Sequence, residues 1–203
     1  MGAIRVGAVA AKFGRDLDSD LQRIATLIEH ARRSGVSLLV LPDAALGGYL
    51  GDLHKPDPTA LPPALELDDP HVRKVVALAA EMVVCFGFCE AQGDQRYNTA
   101  LCVHGDGILG THRKVHQPAG ESIAYSAGER FSAFDTPVGR LGMLIDYDKT
   151  FPESARTLAL DGADVLAALS AWPTSLPNPA PRMAQDRQAR PFYPSRQPRA
   201  ADN

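Results

Sequence analysis

The stretch from residue 142 to residue 153 constrains the fold of this chain more than any other. Its first residues, Gly142 to Ile145, form an apolar run that is typical of a buried strand, and Asp146 follows directly. A Phe-Pro-Glu sequence then begins at Phe151, and proline at a first helical position with an acidic residue behind it is typical of a helix start. The stretch therefore predicts a strand-to-helix elbow that carries Asp146. Such an elbow lifts one side chain off the sheet edge, where many hydrolases hold their attacking atom.

The first third of the chain predicts a strand, a helix and a second strand. Residues 4–10 are apolar except for Arg5 and predict the first strand, and a helical spacing of apolar residues follows behind a candidate cap at Asp18 or Ser19 and ends at Gly35. Residues 37–41 form a continuous apolar run that Pro42 ends, which places Asp43 at the exit of a buried strand. The Gly- and Pro-rich residues 47–63 predict a loop that lies over these strand ends.

The rest of the pattern alternates helices with strands. Asp69 and Pro70 predict a helix cap and first helical position, and a short helix is expected over residues 152–160. Strands are predicted at 83–88, 99–104, 108–111 and 165–170, with a hairpin turn at 105–107 that brings Lys114 to a strand end. This order indicates an α/β fold with sheets in the middle and helices outside.

Three sequence blocks in this order resemble the nitrilase, or carbon-nitrogen hydrolase, superfamily. They are residues 38–43, residues 112–116 and residues 141–164. The resemblance extends over roughly residues 4–175 and implies the family's four-layer αββα sandwich. Family members continue with further strands, so the resemblance also implies a sandwich that is C-terminally incomplete and exposes sheet edges.

The resemblance gives each site residue a role. The family's catalytic Glu, Lys and Cys correspond to Asp43, Lys114 and Asp146, so these are the candidate catalytic residues. Glu121 stands where many members have a second Glu that positions the substrate. Tyr147 follows the elbow, and its backbone N–H is expected to help bind the substrate's developing negative charge.

Two substitutions should alter this chemistry. Aspartate at position 43 shortens the carboxylate arm by about 1.5 Å, and a misplacement near 1 Å can cost on the order of 100-fold in rate. Aspartate at position 146 removes the thiolate that would attack the amide. We expect Lys114 to pair with Asp146, since such charges about 4 Å apart attract by roughly 4 kcal/mol at an effective dielectric of 20.

Three hypotheses about function follow. The chain is an impaired amidase-type hydrolase, or a non-catalytic small-molecule-binding or oligomer-assembly protein, or a hydrolase in which Asp43 or Asp146 activates water directly. We assign no cofactor and no metal. Two bland alternatives are that Asp43 and Asp146 are ordinary strand-end residues, or that they bind a divalent cation together with Glu121 and Asp148.

Composition limits the partners. A net charge of −3 and a pI near 6.0 give no reason to expect nucleic acid or a membrane surface as a partner. A small amide or nitrile is the expected ligand. The family resemblance implies in addition that the protein forms a homo-oligomer. The absence of a leader and of long apolar runs predicts a cytoplasmic protein, and Cys85, Cys89 and Cys102 are expected to be buried thiols.

The sequence divides into two parts. Residues 1–175 form the predicted domain. Residues 176–203 are rich in proline and arginine, and they contain too few apolar residues to offset the entropy of ordering, so we expect them to be disordered.

Overall fold

Strands and helices alternate along the chain as the sequence predicts. The computed structural model describes residues 4–52, 55–118 and 120–171. The described strands are β1 Val6–Ala8, β2 Leu38–Val40, β3 Ala64–Leu65, β4 Val83–Gln92, β5 Gln95–His104, β6 Gly107–Arg113, β7 Phe134–Thr136, β8 Gly139–Ile145 and β9 Val165–Leu169. The described α-helices are α1 Leu17–Arg33, α2 Pro70–Ala79 and α3 Pro152–Leu160, and short 3-10 turns occupy Pro58–Ala60, Glu121–Ile123 and Asp146–Thr150.

The first sheet has the strand order β1-β2-β4-β5-β6, with the short β3 added beside β4. Strands β1, β2 and β4 run parallel, whereas β4, β5 and β6 are antiparallel neighbours joined by hairpins. Parallel neighbours need a crossover connection, and α1 and α2 supply it. Both helices pack on one face of this sheet, where Ile24 and Val75 join a buried cluster with Phe86.

The second sheet has the order β7-β8-β9 and packs against the other face of the first sheet. Leu141, Met143 and Ile145 of β8 share one buried cluster with Cys85 and Cys102 of the first sheet. The opposite face of β8 meets α3, where residue 144 packs against residue 158. The layers are therefore helix, sheet, sheet, helix, which confirms the predicted αββα sandwich.

The structure corrects some predicted boundaries. Asp16, not Asp18 or Ser19, caps α1, because Asp16 is extended and its carboxylate accepts the N–H of Ser19 at 2.7 Å. The cap of α2 at Asp69 is confirmed, with the N–H of His71 donating to its carboxylate at 2.7 Å.

Strands β4 and β5 are longer than predicted. Polar residues ended the predicted strands, but Glu90 is buried and accepts hydrogen bonds from Thr99 at 2.6 Å and from Arg113 at 2.8 Å. Paired in this way, a carboxylate can lie inside a sheet. The three cysteines are buried free thiols on β4 and β5, as expected.

Two segments of the predicted domain division lie outside the residues that the structure describes. They are the predicted tail, residues 176–203, and the end of the predicted domain, residues 172–175. Within the described ranges, no helix combines the length and the apolar character needed to cross a bilayer.

Candidate functional site

The ends of three strands bring the three candidate catalytic residues together. Asp43 follows β2, Lys114 follows β6 directly, and Asp146 follows β8 directly. All three side chains are buried although each is charged in its ordinary state. Burial of ionisable groups is costly unless they are paired, so the surroundings of each side chain decide what the cluster can do.

The elbow at Asp146 has the backbone geometry that its sequence predicts. Asp146 has a φ of 41°, in the left-handed region that residues other than glycine seldom occupy. Aspartate is one of the few side chains that tolerate this conformation. A 3-10 turn over Asp146–Thr150 then leads into α3. The chain thus holds the side chain of residue 146 at a strained turn between a buried strand and a helix.

Lys114 contacts two carboxylates, and the nearer one is not the one that the sequence predicted. Its Nζ lies 2.7 Å from an oxygen of Glu121 and 3.4 Å from an oxygen of Asp146. The predicted pairing with Asp146 is present but longer. The turn Glu121–Ile123 brings the fully buried Glu121 against Lys114. No local sequence pattern predicts this contact.

Polar side chains that the sequence analysis missed satisfy the remaining carboxylate oxygens. Asn98 donates to Asp43 at 3.1 Å and to Glu121 at 3.2 Å, so one amide bridges two site carboxylates. Tyr49 donates its hydroxyl to Glu121 at 2.8 Å. Tyr49 belongs to the Gly- and Pro-rich loop that the sequence predicted to cover the strand ends. That prediction could have identified Tyr49 as a site residue.

The two aspartates are also held by the segment after β9. Ser170 donates its hydroxyl to Asp146 at 2.9 Å, and the backbone N–H of Ala171 donates to Asp43. Lys149 lies 4.0 Å from the same oxygen of Asp146 that Ser170 contacts. Asp146 therefore faces two lysines and a hydroxyl.

The surroundings shift the pKa values of several site groups. Burial, followed by repulsion from Asp146, raises the pKa of Asp43 to about 6, although Lys114 and Asn98 oppose the rise. Burial alone would lower the pKa of Lys114, but the nearby Glu121, Asp146 and Asp43 raise it above its ordinary value. Lys114 is therefore an ammonium at neutral pH, and the pKa of Asp43 lies close to the neutral range.

Burial and the same three carboxylates also act on the loop tyrosine. They raise the pKa of Tyr49 well above its ordinary value. Its hydroxyl therefore stays protonated and can act only as a neutral donor toward Glu121.

Tyr147 follows Asp146 in the elbow, and its ring packs edge-on against the ring of Phe151 at 5.3 Å between centroids. Its backbone N–H remains a predicted ligand for an oxyanion. A divalent cation is disfavoured where Lys114 already places an ammonium between two carboxylates. In the ranges that the structure describes, no group of three or more His, Cys, Asp and Glu residues is arranged to hold a metal ion.

Comparison with known proteins agrees with this architecture. A nitrilase from Pyrococcus abyssi is 34% identical over 151 residues, which span 74% of this chain and 58% of that protein. A citrullinase from Francisella tularensis is 30% identical over 185 residues, which span 87% of this chain and 63% of that protein. The chain thus spans about three fifths of the length of these curated relatives. A carbon-nitrogen hydrolase structure from Helicobacter pylori superposes with a TM-score of 0.75 at 22% identity, covering 93% of this chain and 66% of that one.

The sequence model of the carbon-nitrogen hydrolases matches residues 5–190, nearly the whole chain. The match includes all three strand ends that carry Asp43, Lys114 and Asp146. Family, fold and the order of the strand-end residues agree, and the chain belongs to the carbon-nitrogen hydrolase family.

Proposed function

We propose that this protein keeps the small-amide pocket of a carbon-nitrogen hydrolase but cannot use a covalent thiol mechanism. The observation that carries the proposal is Asp146, a carboxylate at the elbow that is held by Lys114 at 3.4 Å and Ser170 at 2.9 Å. A carboxylate bound in this way is a weak nucleophile. Its attack on an amide would form an anhydride that readily reverts.

The charge of Asp146 also opposes the second requirement of amide hydrolysis. A tetrahedral intermediate develops a negative oxygen that needs a cation or N–H groups beside it. Lys114 already neutralises part of the charge of Glu121 and Asp146, which lie 2.7 Å and 3.4 Å from its Nζ. A further anion about 4 Å from Asp146 would be repelled by roughly 4 kcal/mol at an effective dielectric of 20. The expected result is binding without efficient turnover.

The proposed ligand is a small amide or nitrile. The site places three carboxylates, Asp43, Glu121 and Asp146, near one another and Lys114, so we expect it to favour ligands that present N–H groups. A nitrilase and a citrullinase among the relatives support small C–N compounds as the ligand class. The function of such a protein would then be that of a binding or assembly subunit, which is the non-catalytic alternative drawn from the sequence.

A second candidate is a hydrolase in which Asp43 activates water. The observation that favours it is the pKa of Asp43, raised to about 6, because a general base works best when its pKa lies near the working pH. Against it, Asp43 already accepts hydrogen bonds from Asn98 and from the N–H of Ala171. An attacking water would have to share these oxygens with donors that already orient the carboxylate.

Ammonia release from a panel of small amides and nitriles tests the proposal. We expect no release above background from the unaltered chain. The double variant Asp146→Cys with Asp43→Glu should gain turnover, because it restores a thiol and the longer base at the two strand ends. Each single variant is the control, and Asp43→Glu alone should stay inactive.

The alternatives give different results. Turnover by the unaltered chain that survives Asp146→Ala but is lost in Asp43→Ala would establish water activation in place of the proposal. A double variant that stays inactive, while a thiol-specific electrophile labels residue 146 no faster than the buried Cys85, would show that this elbow does not present its side chain to small molecules.

A further inference from the structure

We infer that Asp148 is a positioning residue, which sets the separation between Lys114 and the side chain at position 146 through its bonds to residues beside them. Asp148 is fully buried two residues beyond the elbow. The inference rests on the proposed function only in taking Lys114 and residue 146 as the charged pair at the centre of the site. Its test needs no turnover, so it can fail or succeed independently of that proposal.

One carboxylate oxygen of Asp148 binds the segment that carries Lys114. It accepts the backbone N–H of Val115 at 3.2 Å and the backbone N–H of His116 at 2.8 Å, and it lies 3.2 Å from Nδ1 of the His116 ring. These groups follow Lys114 directly. Strand β6 ends at Arg113, so this oxygen holds the second and third residues beyond that strand in place.

The other oxygen binds the strand that carries the elbow. It accepts the backbone N–H of Ile145 at 3.1 Å and lies 2.9 Å from Nε2 of His112. Ile145 is the last residue of β8 in the second sheet, and His112 belongs to β6 in the first. A single carboxylate therefore joins the two sheets one residue away from each member of the Lys114–Asp146 pair.

The surroundings keep this carboxylate ionised and fixed. Burial would raise the pKa of Asp148, but the bond from His112 and the N–H groups of His116 and Ile145 lower it below its ordinary value. The two histidine rings are themselves packed: His116 stacks on Phe151 with centroids 4.0 Å apart, and His112 stacks on Phe131 at 5.3 Å. Hydrogen bonds to a charged acceptor are among the stronger ones in proteins.

A thiol at position 146 reports the distance to Lys114. In an Asp146→Cys background, a nearby ammonium should lower the thiol pKa below its usual value of about 8.5. Adding Asp148→Asn removes a negative charge close to the thiol. If Asp148 acted only through its charge, its loss would lower the thiol pKa further. If Asp148 positions Lys114, its loss should move the ammonium away and raise the thiol pKa.

The experiment measures the rate of iodoacetamide alkylation at residue 146 against pH, with the labelled site identified by mass spectrometry. We expect Asp148→Asn to raise the thiol pKa by about one unit, so that the thiolate fraction below neutrality falls about tenfold. The matched control is Asp20→Asn. Asp20 is also buried and accepts two backbone N–H groups, from Gly14 and Gly47, both at 2.9 Å, but it has no bond to residues 112–116 or 145.

Asp20→Asn should lower the melting temperature and leave the thiol pKa unchanged. If Asp148→Asn does not fold, His112→Phe is the second variant, because it removes the Nε2 donor and keeps a ring on Phe131. We expect a smaller rise in the thiol pKa from it. A thiol pKa that stays constant or falls in the folded variants would overturn the inference and leave Asp148 a structural carboxylate.

Discussion

Asp43 is the site residue whose pKa shift gives the most direct test of the site's electrostatics. Its pKa is raised from 3.8 to about 6, first by burial and then by Asp146. Between these values the folded chain retains a proton that the unfolded chain has released. The free energy of unfolding contributed by Asp43 therefore falls as pH rises through this window, by roughly 3 kcal/mol for a shift of this size.

The variant Asp43→Asn should lose this decline. We expect the difference in unfolding free energy between the unaltered chain and Asp43→Asn to change between pH 4 and pH 6, measured by urea denaturation at several pH values. The readout is the change of this difference with pH and not its size at one pH, because the amide also alters the hydrogen bonds from Asn98 and Ala171. Asp57→Asn is the control, because Asp57 is fully exposed and its pKa is lowered, so it should not contribute in this window. A constant difference across the window would show that Asp43 titrates normally.

At the scale of elements, the sequence predicted where strands end and which three charged residues lie there, but not all of the side chains that meet them. The exits at Asp43, Lys114 and Asp146 follow from local signals, namely an apolar run closed by proline, a hairpin, and a strand before a Phe-Pro-Glu start. The bridging amide of Asn98 and the close pairing of Lys114 with Glu121 depend on how separate segments pack. No local periodicity records such contacts, so the sequence predicted the pairing of Lys114 with Asp146 but neither the Asn98 bridge nor the shorter contact with Glu121.

The placement of Asp43 depends on a close approach between its segment and β4. Gly87 lies at this approach: its N–H donates to the carbonyl of Pro42 at 3.1 Å, and its carbonyl accepts the N–H of Leu46 at 3.2 Å. A Cβ on Gly87 would overlap the backbone carbonyl of Asp43. Because the obstacle is backbone, the strand exit itself would have to move.

We therefore expect Gly87→Ala to destabilise the fold by about 1 to 3 kcal/mol, the usual cost of overpacking. Gly51→Ala is the matched control, since a Cβ there meets nothing within 4 Å. Urea denaturation of both variants measures the difference. Equal stabilities for the two variants would mean that the segment carrying Asp43 can move away from β4 at no cost.

At the scale of the whole molecule, β9 is an edge strand of the second sheet among the residues that the structure describes. In the described part of the chain, β9 pairs only with β8, so one side of β9 has unpaired backbone groups. Leu166 in the middle of β9 is 41% exposed. An edge strand with an exposed apolar residue is a template for pairing with another chain. The edge of β9 is therefore the surface through which we expect the predicted homo-oligomer to form.

We predict that the protein self-associates through the β9 edge and that Leu166→Lys weakens this association, because a charged side chain on an edge strand opposes pairing. Leu160→Lys is the matched control: Leu160 is more exposed, at 74%, but lies at the end of α3, away from the edge. Sedimentation velocity over a range of protein concentrations should show Leu166→Lys shifted toward the monomer and Leu160→Lys unchanged. A monomeric unaltered chain, or equal effects of the two variants, would place any association elsewhere and leave the edge of β9 protected by another part of the chain.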